Sequence, residues 1–164
     1  MKILFFLLIS SLIIFSTQSR SIISRPQPLS SPRIDTIQGQ GNCSYIVNIL
    51  TTFSSPSTRD SISLRFGDAN GNEVFAPNID DPDSGRFQPG SWNVLVLNGP
   101  CMNRTICYLF LYRSGDDGWI PYDVFILQHL ANFYFNVRIP NNGWFGYNKC
   151  FPPPPANATS LAVK

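Results

Sequence analysis

The chain has 164 residues, with 12 Lys and Arg against 10 Asp and Glu, four Cys and a single His. Between Cys43 and Cys150 the count is seven basic against nine acidic residues, which argues against a nucleic-acid binder, since that calls for a basic patch. His129 as the lone histidine, and cysteines without finger-like spacing, argue against a zinc site.

Met1–Ser19 reads as a secretory signal peptide. Lys2 supplies the positive start, Ile3–Phe15 is apolar apart from serines, and Thr17 and Ser19 form a small-residue cleavage site. Later stretches are too short and polar to span a bilayer. Export gives the cysteines an oxidising home. Arg20–Asn42 is a Pro/Ser-rich linker without hydrophobic period, holding Pro26, Pro28 and Pro32.

The domain starts at Cys43. Ser44–Thr52 is a strand with Tyr45, Val47 and Ile49 on one face. Ser61–Phe66 alternates Ile62, Leu64 and Phe66 against polar residues, the pattern of a half-buried strand. Gly67–Asn72 is dense in turn residues and Glu73–Ala76 returns, as in a hairpin. After a loop rich in Asp and Pro, Trp92–Leu97 is the next strand. Ile106–Arg113 follows, apolar or aromatic at nearly every position; such a strand is buried on both faces, or buried on one and bound to something on the other. Ser114–Gly118 ends it in a turn. Trp119–Leu130 has its apolar centre at Val124–Leu127. In Asn132–Ile139 the alternation sends Phe133, Phe135, Val137 and Ile139 inward. Trp144–Cys150 closes the domain. Phe151–Lys164 is a tail opening on Pro152–Pro155. Seven or eight short strands at about ten-residue spacing, with no convincing helix, predict an all-β antiparallel sandwich.

Four cysteines allow three pairings. The nested one, Cys101–Cys107 within Cys43–Cys150, joins a local pair and clamps both ends of the domain. Closing the outer loop stabilises by roughly 4–5 kcal/mol in the chain-entropy model. Glycosylation sequons stand at Asn42, Asn103 and Asn157.

Thr58–Asn72 (TRDSISLRFGDANGN), Asp80-Asp81-Pro82, Gly99-Pro100-Cys101, Ile106–Trp119 (ICYLFLYRSGDDGW) and Trp144–Cys150 (WFGYNKC) resemble the embryo-specific protein 3 family of plants, over the whole of Cys43–Cys150. The resemblance implies a PLAT-like (lipoxygenase-homology) sandwich of two sheets and eight strands, an embryo or seed setting, and a non-catalytic role. PLAT-like domains attach proteins to membranes, lipids or other proteins. The family usually carries a cysteine near Phe53 and another near Gly90. Both are absent here, as the joint loss of a bonded pair would show.

Three groups of residues are candidates for function. Asp68, Asp80, Asp81 and Asp116 are acidic loop residues that calcium would use if they converged; Asp and Asn are also the ordinary residues of turns. Trp92, Trp144 and Phe145 stand near loops or strand ends, where aromatics suit a membrane interface or simply cover the core. His129 has no nucleophile motif beside it. The expectation is a secreted, non-enzymatic domain without a required cofactor. Its partner is a lipid or membrane surface or a protein. The alternative is a structural or protein-interaction component of seed or cell wall without lipid binding.

Overall fold

The structure, a computed structural model, describes residues 25–28, 43–80 and 85–150. The signal peptide, the sequons at Asn42 and Asn157, Asp81 and the proline run lie outside these residues.

Two antiparallel sheets form the domain. The first has five strands in the order β1 (Gln27–Pro28), β9 (Gly143–Asn148), β6 (Ile106–Ser114), β3 (Ser61–Asp68) and β4 (Glu73–Ala76). The second has four, in the order β5 (Trp92–Gly99), β2 (Cys43–Thr51), β7 (Pro121–Ile126) and β8 (Ala131–Tyr134). The chain crosses repeatedly between them, so each sheet is assembled from strands distant in sequence. Period-2 alternation supplies the inner faces. Tyr45, Val47, Ile49, Val124, Ile126 and Phe133 from one sheet meet Ile62, Leu64, Phe66, Leu109, Leu111 and Tyr147 from the other. Fully burying such a side chain stabilises by about 1.5–3 kcal/mol. The sandwich expectation therefore holds, with one addition: Gln27 and Pro28, from the linker, pair with Gly146 and Phe145 at the sheet edge.

Trp119 plugs one end of the core. It is fully buried, its indole N–H donates to Thr51 Oγ1 at 3.1 Å, and its ring lies 5.1 Å from Phe87. The GDDG turn before it is built around a buried ion pair. Asp60 accepts from the Arg113 guanidinium and from the backbone N–H groups of Asp117 and Gly118 at 3.1 and 2.9 Å. Arg113 also donates to the carbonyls of Ile139 at 3.0 Å and Gly115 at 2.9 Å. Gly115 leaves room for this: a Cβ there would stand 2.0 Å from the Asp60 carboxylate.

Two expectations need correction. The disulfides join Cys43 to Cys101 and Cys107 to Cys150, not the nested Cys43–Cys150 and Cys101–Cys107. Cys43 faces Gly99 across the β2–β5 ladder, which brings Cys101 to a Cα–Cα distance of 5.1 Å. Cys107 accepts from Lys149 N–H at 2.8 Å, and Cys150 lies 4.8 Å away, Cα to Cα. Each bridge staples neighbouring strands of one sheet. The nested pairs would have had to cross between sheets, which stack about 10 Å apart, beyond the roughly 7 Å that a disulfide spans. The second correction concerns Val137, which is 38% exposed rather than inward. The strand ends at Tyr134; Asn136 turns at a positive φ of 47°, and alternation stops with the strand. One 3-10 turn, Leu127–His129, joins β7 to β8.

Candidate interaction surface

The two outer faces of the sandwich differ. On the five-stranded sheet the apolar outer residues cover one another. The Arg65 guanidinium lies over Phe110 at 5.4 Å and over Trp144 at 5.0 Å. It stands 4.0 Å from Glu73, which accepts the Tyr108 hydroxyl at 2.8 Å. Phe75 and Tyr112 pack on Trp144 at 5.9 and 5.5 Å. Burial and the neighbouring Glu73 carboxylate push the Tyr108 hydroxyl far above its ordinary range. This mosaic explains why Ile106–Arg113 is apolar on both faces: one packs in the core and the other lies beneath its own neighbours.

Trp144 is accordingly only 6% exposed, and Phe145 is half-buried against the core. Neither is the exposed binding aromatic expected from sequence. Both apolar faces of β9 are occupied from within the domain.

The four-stranded sheet is covered differently. Trp92, Val94 and Val96 stand in a row on the outer side of β5, all exposed. They face Leu50, Asn48 and Ile46 of β2. Phe125 continues the surface on β7, opposite Asn48. Tyr134 on β8 faces Asp123, and its ring meets Tyr122 edge-on at 5.0 Å. Burial pushes the half-buried Asp123 carboxyl above the ordinary aspartate range, although a bond from Asn132 pulls the other way.

At one end this face runs into a pocket of about 410 Å³ lined by Leu50, Thr51, Thr52, Phe53, Ser54, Tyr122 and Asn136. Phe53 is 89% exposed and Trp92 63%. The Phe53 ring lies so close to Gly90 that a Cβ there would meet it at 2.4 Å. The two positions where the family's additional cysteines were expected are therefore spatial neighbours.

Trp92 is exposed, as a surface aromatic would be, and Phe53, Val94, Val96, Tyr122 and Tyr134, which the sequence did not single out, are exposed with it. The available signal was in Trp92–Leu97, which is apolar on both faces like β6 but has only one face in the core.

The acidic candidates do not converge. Asp68, at the end of β3, accepts from the backbone N–H groups of Asn70 and Asn72 at 2.9 and 3.1 Å and from the Asn72 side chain at 2.9 Å. It is a turn organiser. Asp80 follows Ile79, whose N–H bonds to Ile62 O, and Asp116 follows Ser114, which pairs with Ser61. These two belong to the opposite end of β3 from Asp68. Among the described residues, no three His, Cys, Asp or Glu side chains group closely enough for a metal ion. His129 is stacked on Tyr45 at 5.9 Å. Asn103 lies with Arg104 and Thr105 on an exposed loop. No helix of the described residues is long and apolar enough to cross a membrane.

Among solved structures, the coral 8R-lipoxygenase, described as showing calcium activation via a C2-like domain, matches with a TM-score of 0.52 at 17% identity, over 65% of this chain and 17% of that one. A lipoxygenase variant in complex with arachidonate matches with a TM-score of 0.50 at 18% identity, over 64% of this chain and 16% of that one. The chain thus spans about a sixth of these enzymes, and the likeness is one of fold. The protein is a PLAT-like β-sandwich.

Closer relatives narrow the class. The family model for Embryo-specific protein 3 matches residues 31–150. Embryo-specific protein ATS3B of Arabidopsis thaliana is 40% identical over 98% of this chain and 88% of its own length. Embryo-specific protein ATS3A of the same plant is 41% identical over 90% and 84%. The chain belongs to the embryo-specific protein 3 family.

Proposed function

We propose that the mature protein is an exported, non-catalytic recognition domain that attaches to a lipid surface through the outer face of its four-stranded sheet. The observation that carries this reading is the asymmetry of the two faces. One covers its own aromatics, while the other leaves Trp92, Val94 and Val96 in water beside Phe53. Contiguous exposed apolar area of this kind marks interaction surfaces. Rings at a sheet end suit the headgroup boundary, where aromatics prefer to sit. The PLAT-like fold supports the same reading, and the two disulfides fit passage through an oxidising compartment.

The test is co-sedimentation with phosphatidylcholine vesicles, with and without phosphatidylserine and calcium. Trp119 and Trp144 are buried and Trp92 is exposed, so a blue shift of tryptophan emission on vesicle addition reports Trp92. Replacing Phe53 and Trp92 together by alanine is expected to weaken binding at least about tenfold, since burying each ring contributes about 1.5–3 kcal/mol. Absence of binding under every condition removes the lipid reading and leaves the structural or protein-interaction component.

A further inference from the structure

Every open sheet has edges, and proteins blunt them by shortness, proline, charge or a bulge. Three of the four edges here are managed in this way. β1 has two residues and ends in Pro28; β4 and β8 have four residues each. β5 is the exception. It has eight residues, Trp92–Gly99, with no charge and no proline, and its register against β2 is unbroken from Cys43–Gly99 to Leu50–Trp92.

The direction of its free hydrogen-bonding groups follows from the ladder. Thr51 N–H donates to Ser91 O at 3.0 Å. In an antiparallel pair the bonded residues alternate, so Asn93, Leu95 and Leu97 spend their backbone groups on β2. Trp92, Val94, Val96 and Asn98 therefore turn theirs to the open side. Among the described residues no hydrogen bond reaches that side. The same even-numbered residues project from the outer face, with Val94 and Val96 more than half exposed.

We infer that β5 pairs antiparallel with β5 of a second copy of this chain, joining the two four-stranded sheets edge to edge. A two-fold axis at Leu95 sets Val94 opposite Val96 and Trp92 opposite Asn98. All four have outward-facing amides, so the donors and acceptors are self-complementary, as an isologous contact requires. No like charge opposes the approach, because the strand carries none. The valines of the two copies then meet side by side on one continuous outer face. The chain's own remaining segments suit the edge less well. β1, which precedes residues 29–42 in sequence, lies at the far edge of the five-stranded sheet, and Cys43, which follows them, starts β2. The tail leaves from Cys150 at the five-stranded sheet and opens with Pro152–Pro155, which cannot donate to a ladder.

The experiment uses the secreted, disulfide-bonded chain in sedimentation velocity across a concentration series, with amide hydrogen exchange on the same sample. A dimer is expected, with the Val94 and Val96 amides protected. Val94→Pro removes an outward donor while leaving the β2 ladder intact, so it yields a folded monomer; Val94→Thr keeps the dimer. A dimer whose Val94 and Val96 amides exchange freely is a face-to-face stack and overturns the inference. So does a monomer at every concentration. A monomer with those amides protected also overturns it and assigns the edge to the chain's own tail. If Val94→Pro does not fold, exchange on the unaltered protein still decides. A monomer that binds vesicles overturns this inference alone; a dimer that does not bind them overturns the lipid reading alone.

Discussion

Replacing Asp60 with alanine leaves the buried Gly118 N–H, the part-buried Asp117 N–H and a buried guanidinium without this acceptor. Asp60 is 3% exposed and Arg113 is 4%, so water does not substitute. Arg113 keeps its bonds to Ile139 and Gly115, but its charge is no longer balanced. Breaking a buried ion pair in this way costs about 3–5 kcal/mol, a large share of the roughly 5–15 kcal/mol that holds a domain folded. Urea unfolding with disulfides intact, followed by the fluorescence of Trp119 next to the turn, measures it. With a slope of about 1–2 kcal/mol per molar, the midpoint falls by about 1.5–5 M. The pH dependence gives a second readout. Burial alone would raise the Asp60 pKa, but the N–H groups of Gly118 and Asp117 and the Arg113 charge outweigh it and hold the carboxyl below the usual range. A lowered native pKa means that the stabilisation is complete above the unfolded value of about 4 and is lost as pH falls through the native one. Asp60→Asn removes that acid-side loss. A change below about 1 kcal/mol, or an unchanged acid limb in the variant, would refute the claim that this pair organises the turn.

Two further predictions concern the staples and the outer face. Non-reducing peptide mapping is expected to join the Cys43 peptide to that of Cys101 and the Cys107 peptide to that of Cys150. With sequence separations of 58 and 43, removing either bridge by a double serine substitution costs about 2–5 kcal/mol; a Cys43–Cys150 peptide would contradict the register of both sheets. At Asp123 the sign is opposite to that at Asp60. Its native pKa is raised, so the native state holds its proton longer and stability falls as pH rises through that range. Asp123→Asn should therefore raise the melting temperature at neutral pH and match the unaltered protein below the ordinary aspartate pKa. An equal or lower melting temperature at neutral pH counts against it.

Most strands were legible because period-2 alternation is a local property. Ile62, Leu64 and Phe66 declare their face without knowledge of any other strand, and Gly67–Asn72 declares the turn. The site was less legible. Trp144 and Trp92 look alike in sequence, each aromatic near a strand end. Trp144 is covered because Arg65, Phe75 and Tyr112, from three other strands, converge on it. Trp92 has Leu50 on one side and an open edge on the other. Asp68 and Asp60 are both turn aspartates by composition, yet one caps its own hairpin and the other closes an ion pair with a residue 53 positions away.

From residues alone came the sandwich, its turn positions, its membership of a plant embryo family and the presence of four cysteines. These depend on short-range pattern and on strings that can be compared directly. Which thiols meet, which outer face is self-covered, and which edge is left with free amides were decided by the register between strands far apart in the chain. Register is set by the packing of all the strands at once, and no segment taken singly encodes it.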